Sequence, residues 1–275
     1  MTDFEHSYRG TILKVENVSL TLGGTKILRD VNVDVKNVTR PGLTQGQVVG
    51  LLGPSGIGKT CLFRILAGLM PPESGRVLVD EPLKPVERGM VGVVAQNYPL
   101  FAHRTVMGNL VVAGKQAALS SKAALEKADT LLAHFGLKEH ASKYPTQLSG
   151  GMRQRVAITQ QFMCSKHFLL MDEPFSGLDL VALQRVIGLI EEMSRTDELK
   201  TFIVVTHDIA AALEVCDTIW LMGRERDERG NIIPGARIMA SYNLIERGLA
   251  WRDGVVDTPE FVDLMREVRA IFPRL

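Results

Sequence analysis

One stretch constrains this chain more than any other, "QVVGLLGPSGIGKTCLFRILAGLMPP", residues 47–72. It opens as a continuous apolar strand, passes through a glycine-rich loop and enters a helix. Leu62, Ile65, Leu66 and Leu69 fall on one face of that helix, and Gly68 and Pro71 mark its stop. A strand, a glycine loop and a helix in that order build a cradle for phosphate, because backbone N–H groups curl around the anion and the helix N-terminus faces it. The loop residues Gly53, Pro54, Ser55, Gly56, Ile57, Gly58, Lys59 and Thr60 match the full GxxxxGK[ST] pattern. Lys59 supplies a point charge for β- and γ-phosphates, and Thr60 a hydroxyl for Mg²⁺. Cys61 follows directly and belongs to the same nucleotide-contacting stretch; its thiol either packs in the first helical turn or is redox-sensitive. A chance glycine turn is the bland alternative, and the flanking strand and helix weigh against it.

Two more segments carry chemistry. "FLLMDEP" is a buried apolar strand whose end presents Asp172 and Glu173. An aspartate there can reach Mg²⁺ through water, and the adjacent carboxylate can orient or deprotonate an attacking water. Two adjacent acids could also merely start the next helix. Further upstream, "LSGGMRQR" (148–155) runs Ser149, Gly150 and Gly151 straight into a helix, a second place fit for a phosphate.

Around these motifs the chain alternates strands and helices. The segments "TILKVENVSLTL", "KILRDVNVDV" and "GRVLVD" carry β-branched residues in partial alternation between Gly, Asn and Asp turns. From about Tyr98 to Pro145 the character turns helical. In "SSKAALEKADTLLAHFGL" the positions Ala124, Leu125, Ala128, Leu131, Leu132 and Phe135 share helical spacing, with Ser120 or Ser121 as cap and Gly136 as stop. The apolar runs "HFLLMDEP" and "TFIVVTH", each followed by a helical segment, predict a parallel sheet covered on both faces. The tail offers a charged hairpin, "GRERDERGNIIPGARIMASYNL". A capped amphipathic helix follows, with Thr258 as N-cap, Pro259 at the first position, and Phe261, Leu264, Met265 and Val268 inward.

The formal net charge of +1 creates no field for nucleic acid, so that partner class is not expected. Three separated cysteines without a CxxC pair suggest a reducing compartment. The start "MTDFEHSYRG" lacks the apolar core of a signal peptide, and no run of about 18 apolar residues occurs. A cytosolic protein is expected, with any membrane role exercised through a partner.

Taken in order, these motifs make the chain resemble the nucleotide-binding subunit of ATP-binding-cassette (ABC) transporters, over residues 11–222. The family's glutamine loop falls at Gln96 in "VVAQNYPLF", its signature at Leu148 to Met152 and its acidic strand end at Asp172 and Glu173. Its D-loop "SGLD" ends at Asp179, and "VVTHD" places the switch histidine at His207. The resemblance implies an α/β fold, a P-loop NTPase cassette with a mixed or parallel core sheet, an antiparallel β subdomain and a helical subdomain inserted at about 98–150. Residues 223–275 then form a C-terminal extension.

The resemblance also implies the division of labour. Lys59 and the loop amides hold the phosphates of ATP; Thr60, Gln96 and Asp172 surround Mg²⁺; Glu173 is the base for water; His207 senses the γ-phosphate. Ser149, Gly150 and Gly151 would hold the γ-phosphate of another subunit's ATP in a head-to-tail pair, expected to be a homodimer, and Asp179 also joins the nucleotide contacts. The implied partners are membrane-spanning transporter subunits, met by the segment Tyr98 to Thr105, with the chain peripheral on the cytoplasmic side of the cell membrane. Uptake cassettes for small polar solutes such as amino acids, nitrate, sulfonates or taurine are the nearest likeness. The sequence departs from the pattern at Leu22, where an aromatic usually stacks on adenine, at Met152, where glutamine is usual, and in the long segment "KNVTRPGLTQGQ". Without that aromatic the stacking contribution of roughly 1–3 kcal/mol is lost, so weaker or less base-selective nucleotide binding is expected. Two other functions remain open at this point: a soluble ABC ATPase acting on nucleic acid or ribosomes, and an ATP-switched regulator of a membrane partner.

Overall fold

The computed structural model describes residues 6–39, 46–164, 168–176, 183–184, 186–188, 190, 201–250, 252 and 254–275. Asp179 and half of the long segment "KNVTRPGLTQGQ", namely 40–45, lie outside the described residues.

Two sheets form the frame. Strands β1 (Ser7–Leu22), β2 (Thr25–Thr39), β4 (Ser74–Val79) and β5 (Lys84–Pro85) make an antiparallel sheet in the order β2-β1-β4-β5. The second sheet runs β10-β9-β3-β8-β7-β6, built from β3 (Gln47–Leu52), β6 (Val91–Val94), β7 (Phe168–Asp172), β8 (Thr201–Thr206), β9 (Thr218–Gly223) and β10 (Arg237–Asn243). All its neighbours pair in parallel except β10, which runs antiparallel to β9. The expected mixed core sheet and antiparallel β subdomain are both present.

The continuous apolar runs reflect burial on both faces of the central strands. Val48 and Leu52 of β3, Leu169 and Met171 of β7, and Phe202 and Val204 of β8 enter one core, shared with the helices. The alternate residues Val49, Leu51, Phe168, Leu170, Ile203 and Val205 enter the other, which joins the two sheets around helix α1 (Lys59–Leu66). Period-two alternation is therefore present in space, although both sets are apolar in sequence.

Helix α1 is shorter than its apolar spacing suggests. Gly68 adopts φ 67° and closes the helix, so Leu69 lies beyond it and is 40% exposed rather than on the buried face. Helices α2 (Val106–Gln116) and α3 (Ser121–His134), from the stretch expected to be helical, pack on each other and on α4 (Gly150–Cys164). Ser120 caps α3 by accepting from the Ala123 amide at 3.2 Å, and Gly136, at φ 61°, follows its end as expected. Leu125 departs from expectation: it faces outward, while Ala124, Ala128 and Leu132 fill the core.

The C-terminal segment is stitched to the frame at both ends. It contributes β10 to the large sheet, and a hairpin tip closes through the Arg226–Ile232 bridge. Thr258 Oγ1 accepts from the Phe261 amide at 3.3 Å and caps α6 (Pro259–Ile271), whose Phe261, Leu264 and Val268 are buried. That helix packs against α5 (Ile209–Val215), and the Leu275 carbonyl accepts from the Arg224 amide at 3.0 Å.

Candidate functional site

The parallel strands set the site. β3, β8 and β7 are neighbours, with Leu52 opposite Thr206 and Asp172 opposite Val205; β6 follows, with Val94 opposite Met171. Their carboxyl ends release, side by side, the loop from Gly53, then His207, then Asp172 and Glu173, then Gln96. Ligands of open α/β sheets bind at such carboxyl ends. Motifs spread over 155 positions, from Gly53 near the front to His207, are thus brought to one edge.

The loop is shaped by what surrounds it. A side chain on Gly53 would meet the Met222 carbonyl at 2.7 Å, so this residue lets β9 approach the loop. Gly58, at φ 113°, turns the chain into α1 and lies against Ile27 of β2. Lys59 is 7% exposed, and its ammonium donates to the carbonyls of Gly53 at 2.8 Å and Pro54 at 3.1 Å. Burial lowers its pKa, opposed by the nearby charges of Glu173 and Asp172. The Asp172 carboxyl is raised, first by burial and then by Glu173, with Lys59 and Arg64 acting the other way. One cation and two carboxylates therefore share one partly desolvated space.

Glu173 is the most constrained of these residues. Its backbone is left-handed at φ 49°, and its amide donates to Val205 of β8 at 2.8 Å. Such a conformation costs on the order of 1–3 kcal/mol and persists where surrounding contacts over-determine it. Oε2 accepts from the Thr206 hydroxyl at 3.2 Å and lies 2.9 Å from His207 Nδ1. The direct contact between carboxylate and imidazole, and the part of Thr206, were not legible in the motifs, because they arise from two strands pairing in a given register.

Other expected residues sit apart from this cluster. Ser149, Gly150 and Gly151 are all exposed at the start of α4, and Ser149 Oγ accepts from the Met152 amide at 3.3 Å. Among the described residues no hydrogen bond joins 149–151 to the loop 53–60. Met152 packs partly into the helical core rather than offering a polar group. Leu22 is 43% exposed at the β1–β2 turn. Thr60 and Gln96 are exposed, and Cys61 is half-buried against the second core. Thr60, Gln96 and Asp172 offer a hydroxyl, an amide and a carboxylate, the hard oxygen donors suited to Mg²⁺.

Two buried polar residues escaped the sequence reading. Asn109, fully buried, accepts from the Phe101 amide at 2.7 Å and donates to the Phe101, Arg104 and Thr105 carbonyls, which fixes the loop after Gln96. Gln154 on α4 donates to the Pro174 carbonyl at 3.1 Å. Polar residues at inward helical positions were the available signal for both.

Comparison with known proteins shows the family of the chain. A model of the ABC transporter family matches residues 37–176. The chain is 37% identical over 216 residues to the spermidine/putrescine import ATP-binding protein PotA of Thermotoga maritima; the match covers 78% of this chain and 56% of that protein's length. It is 36% identical over 222 residues to a probable sulfate/thiosulfate import ATP-binding protein CysA of Chlorella vulgaris, covering 80% and 88%. The arginine transport ATP-binding protein ArtM of Bacillus subtilis matches at 35% over 219 residues, covering 77% and 87%. Among solved structures, cbiO1 from Clostridium perfringens, described as part of the ABC transporter complex cbiONQ, superposes with a TM-score of 0.73 at 26% identity, covering 97% of each chain.

Proposed function

The chain belongs to the ABC transporter family, and on that premise we propose that it is the ATP-hydrolysing subunit of an importer for a small polar solute, working through separate membrane subunits. The observation that carries this is the shared strand edge bearing Lys59, Asp172, Glu173 and His207.

The loop amides and Lys59 bind the β- and γ-phosphates; on arrival of the nucleotide, the Lys59 ammonium exchanges the Gly53 and Pro54 carbonyls for phosphate oxygens. Thr60, Gln96 and Asp172 would hold Mg²⁺, which when bound neutralises charge developing on the phosphates. Glu173 orients the attacking water and takes its proton. Its strained backbone and the Thr206 hydroxyl fix the carboxylate, and His207 is close enough to follow its state.

The exposed Ser149, Gly150 and Gly151 serve a second copy of the chain in a head-to-tail homodimer, where their helix N-terminus meets that copy's γ-phosphate. None of the described helices is long and apolar enough to cross a membrane. Attachment at the cytoplasmic face therefore falls to the membrane subunits. A groove of roughly 540 Å³ beside the glutamine loop, lined by Leu100, Phe101, Ala113, Gln160 and Gln161 among others, is where such a subunit would seat a helix.

Replacing Glu173 with Gln tests the assignment. The variant should bind ATP, fail to hydrolyse it, and accumulate as a dimer on size-exclusion chromatography. Normal hydrolysis by E173Q would remove Glu173 from the role of base, and purification from membranes without any integral partner would remove the transporter assignment.

A further inference from the structure

Between the signature, the base and the glutamine loop lies a polar side chain that the motifs leave without a task. Gln154 is 2% exposed and sits in the second turn of α4, the helix that begins at Gly150. Its Nε2 donates to the carbonyl of Pro174, the residue immediately after Glu173. The Tyr98 phenol, two residues beyond Gln96, lies near Gln154, whose amide counters the rise in pKa that burial gives the phenol. The residue just before Pro174, Glu173, is held in left-handed backbone at φ 49°. Seven positions further along α4, Gln161 Oε1 accepts from the Val93 amide at 3.1 Å, which fixes the far part of the helix to β6.

A buried amide is unfavourable unless paired, and a leucine of similar size would pack at this site without that demand. The Gln154 side chain donates to the turn after Glu173 rather than to a carbonyl of its own helix. α4 is thus held to the turn after the catalytic base near one end and to the sheet edge towards the other. Its first residues are those that face a second copy of the chain. Any shift of α4 when Gly150 and Gly151 engage a nucleotide is delivered, through one side chain, to Pro174 and so to the backbone of Glu173.

We infer that Gln154 is a positioning residue that ties the geometry of Glu173 to the seating of α4. The inference rests on the ATPase assignment above. It adds that the signature helix reports on the chain's own base as well as on the partner's phosphate.

The test uses the full chain carrying Q154L and, separately, Q154E. Leu keeps the bulk without the donor, and Glu keeps the length but turns the donor into an acceptor facing the Pro174 carbonyl. Both variants should bind a fluorescent ATP analogue as the parent does and still dimerise with ATP. Their kcat should fall at least about tenfold with KM changed less than about twofold, since misplacing a catalytic group lowers turnover more than ground-state binding.

Parental kcat in Q154L would overturn the inference, as would an equal loss of nucleotide affinity and turnover. Should Q154L fail to fold by thermal melting, Q154E decides, and an unchanged kcat there overturns it. Absence of ATP hydrolysis in the parent protein would instead strike the ATPase assignment itself.

Discussion

At Asp172 a partly buried carboxyl is set against the stability of the fold. Burial, followed by the charge of Glu173, raises its pKa above the usual 3.8. A carboxyl whose folded pKa exceeds its unfolded one is bound to its proton more tightly in the native state. Ionisation therefore weakens the fold: the penalty is absent below the unfolded value and fully present above the folded one. Asp172→Asn should accordingly raise the melting temperature at pH 7.5 and lose that advantage below about pH 4, while hydrolysis is abolished. A lower melting temperature at pH 7.5 would show that the carboxylate is stabilised by its surroundings. The residue-level motifs were highly legible. The spacing in "GPSGIGKT" and the acids closing "FLLMDEP" announced their chemistry, because a loop curled around phosphate is built from consecutive residues. The Glu173–His207 contact was not legible, since its partners stand 34 positions apart.

At the scale of elements, helix caps and stops were read well where one residue decides the outcome. Ser120, Gly136, Thr258 and Pro259 all stand where their backbone chemistry places them. Failures came where packing decides. Leu69 shares the periodicity of α1, yet Gly68 ends the helix first; Leu125 has helical spacing, but the neighbouring elements cover the alanine face instead. α6 carries the clearest prediction at this scale. Its buried Phe261 and Leu264 belong to the core shared with the helices, and α6 packs on α5, the helix that directly follows His207 and Asp208. Phe261→Ala should destabilise the chain by about 3–5 kcal/mol, visible as an earlier denaturant midpoint. A shift no larger than that of an exposed substitution such as Val262→Ala would mean that the extension is energetically detached.

For the molecule as a whole, the site described here is half of the one proposed, and mixing tests this. A chain with Lys59→Ala retains its signature, and a chain with Ser149→Arg retains its phosphate loop. Each alone should be nearly inactive. Mixed, they should regain hydrolysis, because a head-to-tail pair then contains one site with an intact loop and an intact signature; no recovery would argue that Ser149 serves its own chain. The amino-acid sequence by itself determined the phosphate-loop pattern, the acidic strand end, the Ser-Gly-Gly entry to a helix and the apolar strands, since each is set by neighbours a few residues away. The tertiary structure alone decided which strand ends lie side by side, that His207 meets Glu173, and that Gln154 reaches Pro174. Strand order joins β3 to β8 across more than a hundred residues of chain. The register of β7 on β8 sets Glu173 beside His207, and the Gln154 contact requires α4 to pack beside the end of β7.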